Sequence, residues 1–394
     1  MQYQLRPYQQ SAVDASVAYL TDTSKRMRNR NGIVVSPTGS GKSLLIANIV
    51  NRLPGASLVF QPTKEILAQN LAKLHSYGYH PSVYSASVGR KEIGEITLAT
   101  IGSVKNDVSL FANVQNILID ECHLVNAKAG MYKKFLQDIG DCRVLGLTAT
   151  PFRLASNSYG SELRFLTRTR PKVFSDLVHY TQIPDLFTDG YLCPLEYRES
   201  IAIDRSLLRL NSTGADYTDV SVSRAVSGSF CSQVVAETKA AIQSGRKPLI
   251  FTRFTKEAEA LAAAVPGVVS VSAETRPKER DRIISEFRSG KIQAVANVGV
   301  LSVGFDYPEL DCVIMARPTL SLALAYQMMG RAIRTHPNKS SALIIDMVGI
   351  VEQFGKVEDL TLKPSGAKGD LWAFYSGRRR LTNIKIEPKW SMTR

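Results

Sequence analysis

The chain has 394 residues, 44% of them hydrophobic and 21% charged, which excludes an intrinsically disordered protein and exceeds one ordinary core, so two domains are expected. Forty-nine Lys and Arg against 35 Asp and Glu give a formal charge of +14, favouring a polyanionic partner, either nucleic acid or an anionic membrane surface. The longest apolar stretch of the C-terminal half, residues 341–351, is broken by Asp346 and too short to span a bilayer, and MQYQLRPYQQ lacks the order of a signal peptide; no membrane partner and a cytoplasmic location are expected.

In chain order, β-branched runs alternate with helical patterns from residue 32 onward. GIVVS (32–36), SLVFQ (57–61), ITLAT (96–100), NILID (116–120) and VLGLT (144–148) read as buried parallel strands, and residues 42–52 and 64–76 carry apolar side chains at helical spacing. This predicts a doubly wound α/β domain over 1–152. Residues 153–200 are weakly periodic and rich in Ser, Thr and Arg, as in a linker with local structure. The alternation restarts at PLIFT (248–252) and runs through VVSVS (268–272), IQAVAN (292–297), DCVIMA (311–316) and ALIIDM (342–347), a second α/β domain over 201–350. A basic appendage, 351–394, completes the chain. Cys122, Cys142, Cys193, Cys231 and Cys312 lack the close spacing of a zinc or redox site, so plain packing roles for reduced thiols are expected.

Directly after the first strand comes SPTGSGKS (36–43) and then a helix, the context a phosphate-binding loop requires. Thr38, Gly39, Ser40 and Gly41 bring backbone N–H groups to phosphates at a helix N-terminus; Lys42 would reach the outer phosphates and the Ser43 hydroxyl would ligate Mg²⁺. Ser36 stands where the common pattern has its first glycine. NILID ends in the carboxylates Asp120 and Glu121 at the carboxyl end of a strand, where α/β sheets bind ligands. Asp120 is placed to hold the metal and Glu121 to deprotonate the attacking water. His123, directly after them, reads as a coupling residue.

DECH (120–123) resembles the DExH group of superfamily-two helicases, and further blocks follow in that family's order over residues 3–350. The resemblance implies ATP and Mg²⁺ as cofactors and two tandem RecA-like domains. LRPYQQ (5–10) looks like an adenine-recognition segment, with Gln9 as base reader beside Arg6. PTKE (62–65) and TIGS (100–103) look like strand-contacting blocks, implying nucleic-acid contacts from Thr63, Thr100 and Ser103. LTATPFR (147–153) resembles the block coupling hydrolysis to movement, centred on Thr148 and Thr150, with Arg153 at its end.

In the second domain IFTRF (250–254) resembles another strand-contacting block, with Thr252 and Arg253. NVGVLSVGFD (297–306) looks like the block touching both ATP and nucleic acid, through Asn297, Gly304 and Asp306. QMMGRAIR (327–334) is similar to the arginine-finger block, with Gln327, Arg331 and Arg334 toward the γ-phosphate. Closure of the two domains would then switch turnover, since a finger can contribute roughly 10³ to 10⁵ in rate.

Within the group, LRPYQQSAVDA, GLTATPFRL, GYLCP, VGFDYP and ALIIDMVG look like the text of RadD-type DNA-repair helicases, or of a compact phage branch-migration version. The text departs after about Lys363: no cysteine follows Cys312, so that type's zinc-binding region is not expected. The resemblance points to forked, branched or single-stranded DNA as substrate, with recombination or replication proteins as partners. RNA unwinding, or remodelling of DNA complexes without strand separation, are the alternatives. Arg164, Arg168, Arg170 and Lys172 around Phe165, and the run 378–380 near Trp372, Phe374 and Tyr375, are candidate further contacts, weighed against a solvated loop and a packed tail.

Overall fold

The computed structural model describes residues 4–24, 30–126, 129–157, 160–226, 228–301, 307–366 and 371–384. It falls into two compact units: Met1–Ala155 with Arg164–Gln182 and Pro364–Trp372, and Ser156–Leu163 with Ile183–Lys363 and Ala373–Arg394. Among the described residues no helix is long and apolar enough to cross a membrane.

The first unit runs α1 (Pro7–Thr21), β1 (Gly32–Val35), α2 (Lys42–Arg52), β2 (Ala56–Phe60), α3 (Lys64–Ser76), β3 (Ser82–Ser85), β4 (Arg90–Lys91), β5 (Ile96–Ala99), α4 (Ile101–Val104), β6 (Val114–Asp120), α5 (Met131–Asp138) and β7 (Arg143–Thr148). Two extended segments follow, β8 (Phe152–Asn157) and β9 (Gly160–Phe165), and then β10 (Asp176–Tyr180). Eight of these strands form a sheet in the order β10-β1-β7-β6-β2-β5-β3-β4, parallel except for the β3–β4 pair. Strands β1, β6 and β7 lie inside and are apolar on both faces, because helices cover each side. Val13, Leu45, Ile49, Val59, Leu67, Leu118 and Leu145 belong to one packed cluster. Each such side chain contributes about 2 kcal/mol on burial.

In the second unit α6 (Ile183–Thr188), β11 (Leu195–Glu199), α7 (Asp219–Ala225), α8 (Ser229–Gln243), β12 (Pro248–Phe251), α9 (Thr255–Ala264), β13 (Val268–Val271), α10 (Pro277–Arg288), β14 (Ala294–Asn297), β15 (Cys312–Met315), α11 (Leu322–Met329), β16 (Ala342–Asp346) and α12 (Ile350–Phe354) build a six-stranded parallel sheet ordered β11-β16-β15-β12-β14-β13. Asp346 ends β16 fully buried, and its carboxylate accepts the N–H groups of Val348, Gly349 and Val351. That arrangement satisfies a buried charge and caps α12 together. The last strands among the described residues are β17 (Leu360–Ser365), β18 (Leu371–Ser376) and β19 (Arg379–Arg380), with β18 and β19 antiparallel.

Both units are doubly wound α/β structures, with a β-strand at each of the ten places where a buried run was read from sequence. Residues 153–200, expected as a linker with local structure, contribute β10 to the first sheet and β11 to the second. Both are edge strands with half-exposed residues, so their mixed polar text hides them. In the appendage Phe374 is buried and an Arg379 guanidinium N–H donates to the Gln353 carbonyl (2.6 Å), so part of that tail is packed structure.

Candidate active site

β1 delivers the chain to the loop 36–41 at the carboxyl edge of the first sheet. Gly39 and Gly41 adopt positive φ, 82° and 86°, and Gly41 is the residue from which α2 starts. A side chain there would be strained and would meet the Gln9 amide nitrogen at 2.6 Å. The loop is tied internally, Ser40 Oγ donating to the Pro37 carbonyl (2.6 Å) and lying 2.6 Å from Ser36 Oγ. That hydroxyl pair is what the serine at 36 supplies.

Gln9 lies beneath the loop, buried at the start of α1. Its Oε1 accepts from the Arg6 N–H (2.9 Å) and its Nε2 donates to the Ser40 carbonyl (2.8 Å). The Tyr8 hydroxyl donates to the same carbonyl at 2.9 Å. The predicted base reader is therefore also a support of the phosphate loop, and Tyr8, which sequence reasoning passed over, shares that task.

Asp120 ends β6 and Glu121 follows in left-handed backbone, φ 50° and ψ 49°, an uncommon conformation for a residue with a side chain. This turn aims the Glu121 carboxylate back at α2, where the Lys42 ammonium donates to it and lies 3.4 Å from Asp120. Burial alone would pull Lys42 down, but the Glu121 and Asp120 charges outweigh it and raise it above the ordinary lysine value. Burial also opposes ionisation of Glu121, yet Lys42 and then His123 hold it well below the usual carboxylate range. Asp120 moves the other way: its burial is the largest influence and raises it against the pull of Lys42.

The Ser43 hydroxyl donates to Asn70 Oδ1 (2.6 Å), and Asn70 Nδ2 donates to Gln61 Oε1 (2.7 Å) and more weakly to Asp120 Oδ2 (3.4 Å). Ser43 and Asp120, the two candidate magnesium ligands, are thus bridged by one buried amide that sequence reasoning missed. Its signal was present: Asn70 interrupts the buried stripe of Ile66, Leu67 and Leu74 on α3. This hydroxyl and carboxylate, oxygen donors oriented by a shared amide, suit a hard divalent cation.

On the other side, His123 Nδ1 lies 2.8 Å from Thr148 Oγ1, 3.1 Å from Thr150 Oγ1 and 3.2 Å from Glu121 Oε2. The Thr150 N–H in turn donates to Thr148 Oγ1. The histidine therefore links the carboxylates to the threonine block ending β7. Gly146 makes this approach feasible, since a Cβ on it would meet Cys122 Cβ and Sγ at 2.6 Å.

The expected nucleic-acid contacts are dispersed. Thr63 is exposed and its hydroxyl oxygen caps α3, accepting from the Ile66 N–H (3.3 Å). Thr100 Oγ1 lies within 3.2 Å of Ser85 and 3.0 Å of Ser103, a small hydroxyl cluster at the same edge. Arg153 donates to the Leu124 carbonyl at 3.1 Å. In the second unit Thr252 and Asn297 are buried at adjacent strand ends, and among the described residues Thr252 Oγ1 and Asn297 Nδ2 have no hydrogen-bond partner. Arg253 differs from expectation. Its Nε donates to Asp219 (2.9 Å), Nη1 to Asp216 (3.3 Å) and Nη2 to Asp219 and the Tyr217 carbonyl. The guanidinium is engaged inside its own unit, because Asp216 just before α7 and Asp219 at its start both reach it.

Gln327 lies on α11, and Arg331, buried just beyond that helix, donates from Nε to the Gln327 carbonyl (3.2 Å). Arg334 is half-buried. Gly304 and Asp306 lie outside the described residues.

Residues 2–153 match the family model described as "Type III restriction enzyme, res subunit", and residues 231–336 match "Helicase conserved C-terminal domain". A 51.5 kDa protein of a Lactococcus phage (isolate 7-9) is 29% identical over 326 residues, covering 80% of this chain and 65% of that protein. The DNA 3'-5' helicase XPB of Kineococcus radiotolerans is 27% identical over 362 residues, covering 87% of this chain and 59% of that one. The chain thus spans less than two thirds of either relative. Among solved structures, an ATP-dependent Type ISP restriction-modification enzyme bound to DNA superposes with a TM-score of 0.60 at 13% identity, over 88% of this chain and 28% of that one. This likeness carries the fold: two tandem RecA-like domains. With both family models matched in order on two such domains, the chain is similar to the superfamily-two helicases.

Proposed function

We propose that this chain is a nucleic-acid-stimulated ATP hydrolase that moves along DNA, acting on forked or branched substrates in replication, recombination or repair. The observation that carries the reading is the cluster of buried Asp120 with half-buried Lys42 and Glu121 at a glycine-bent loop that starts α2. An ammonium held by two carboxylates is a cation positioned in advance for the outer phosphates, and the loop N–H groups with the α2 N-terminus favour the rest of the triphosphate. Glu121, ionised and aimed by its left-handed backbone, is the base for the attacking water. Ser43 and Asp120 are the residues that would hold Mg²⁺, which when bound offsets charge on the phosphate oxygens. In this reading Arg331 and Arg334 supply transition-state charge.

The preference for DNA rests on the sequence blocks and on relatives whose names include a DNA helicase. The RadD-type assignment rests on the segments quoted above, and a phage relative is consistent with a compact version. The test is ATP turnover by the full chain with single-stranded DNA, duplex DNA or RNA, alongside strand release from a fork. Lys42→Ala and Glu121→Gln should each lower turnover by about a hundredfold or more while leaving DNA binding in place. Unchanged hydrolysis in either variant would remove the site, and stronger stimulation by RNA would reassign the substrate.

A further inference from the structure

α11 ends at Met329, and the chain passes through Arg331, Ala332, Ile333 and Arg334 without regular structure. The arginines therefore depend on contacts from elsewhere for their placement. One is the Cys193 N–H, which donates to the Ile333 carbonyl (2.8 Å). Another is Lys339, whose ammonium donates to the Ala332 carbonyl at 3.0 Å. The same ammonium donates to the carbonyls of Pro308 (2.8 Å) and Leu310 (3.0 Å). All three N–H groups of the side chain are thereby used, each on a backbone carbonyl and none on a carboxylate.

Local sequence drives this arrangement. His336, Pro337, Asn338 and Lys339 form a tight turn closed by the Lys339 N–H on the His336 carbonyl (3.0 Å), with proline at the second position where its fixed φ suits the turn. The three carbonyls come from separate stretches. Ala332 lies between the two arginines, and Pro308 and Leu310 follow the block 297–306 assigned above to nucleotide and nucleic-acid contact. A second clamp strengthens the latter stretch, Lys247 donating to the Tyr307 hydroxyl at 2.9 Å.

We propose that Lys339 is a positioning residue that fastens the stretch 307–310 to the arginine segment, so that these two stretches shift as one body during turnover. The proposal rests on the reading that Arg331 and Arg334 serve ATP hydrolysis. An ammonium suits the task because its three donors diverge toward three carbonyls, whereas a guanidinium presents a flat fork. Methionine matches the stem and supplies no donor.

The test uses the full chain and the variants Lys339→Met and Lys339→Gln, with Asn338→Ala as a control at an exposed position of the same turn. Lys339→Met should lower DNA-stimulated kcat by about tenfold or more, with KM for ATP and affinity for a fluorescent ATP analogue within about twofold of wild type. Amide hydrogen exchange should rise in 307–310 and 331–334, the thermal melt should stay cooperative, and Asn338→Ala should behave as wild type. Retained kcat, or an equal loss in KM, overturns the proposal. Loss of the cooperative melt in both lysine variants also overturns it, by making the ammonium a folding determinant. Should wild type show no turnover, the ATP reading itself fails; unchanged exchange in the two segments would then separately remove the fastening role.

Discussion

Asn70 shows how much one side chain can organise. Its amide satisfies a half-buried hydroxyl on α2 and a buried glutamine ending the sequence run of β2, and it reaches the buried Asp120 carboxylate. Replacing it with alanine would strand those groups and release the Ser43 and Asp120 side chains from their shared orientation. Partners that orient metal ligands typically contribute about 10- to 100-fold in metal affinity. Asn70→Ala should accordingly raise the Mg²⁺ concentration for half-maximal turnover by about tenfold, measured by titration at saturating ATP. An unchanged magnesium midpoint would detach Asn70 from the metal site. Arg253 teaches the complementary lesson. A block resemblance implies a strand contact, but the position alone does not reveal that Asp216 and Asp219 already occupy the guanidinium.

The element that most constrains the catalytic edge is β7. It pairs with both β1 and β6, so it sets the spacing between the phosphate loop and the carboxylates. Gly146 permits the turn after β6 to fold down against it: an added Cβ would lie 2.6 Å from Cys122 and 2.9 Å from Phe174. Neither neighbour has room to yield, since Cys122 is fully buried and Phe174 is 2% exposed. Overpacking of this kind costs about 1–3 kcal/mol. Gly146→Ala should lower stability by about that much in urea titration, with turnover falling as the Glu121 turn is displaced. A neutral midpoint would show that the turn has slack. Cys122 itself stays a thiol, because burial pushes its pKa well above the ordinary value.

At the scale of the whole molecule, the charge of +14 is a statement about a partner rather than about the fold. If phosphate contacts supply most of the grip, binding releases counterions and must weaken with salt. Affinity for single-stranded DNA should then fall by about tenfold or more between roughly 50 and 200 mM salt, followed by fluorescence anisotropy. A flat dependence would move recognition from the backbone to the bases.

The sequence by itself determined the two α/β units, their ten buried strands, the phosphate loop and the acidic pair, because parallel strands covered on both faces must be written as continuous apolar runs. The family's blocks are legible for a related reason: each sits in a short loop directly after such a run. Tertiary structure alone decided the rest. Strands β10 and β11 were hidden because an edge strand needs an apolar pattern on neither side. Asn70, Tyr8 and Lys339 were hidden because their partners are loop carbonyls and side chains far along the chain, and no local period records a hydrogen bond made across 30 or 50 residues. Folding within each unit brings such a group and its partners together away from water, and there each buried polar atom must find its partner.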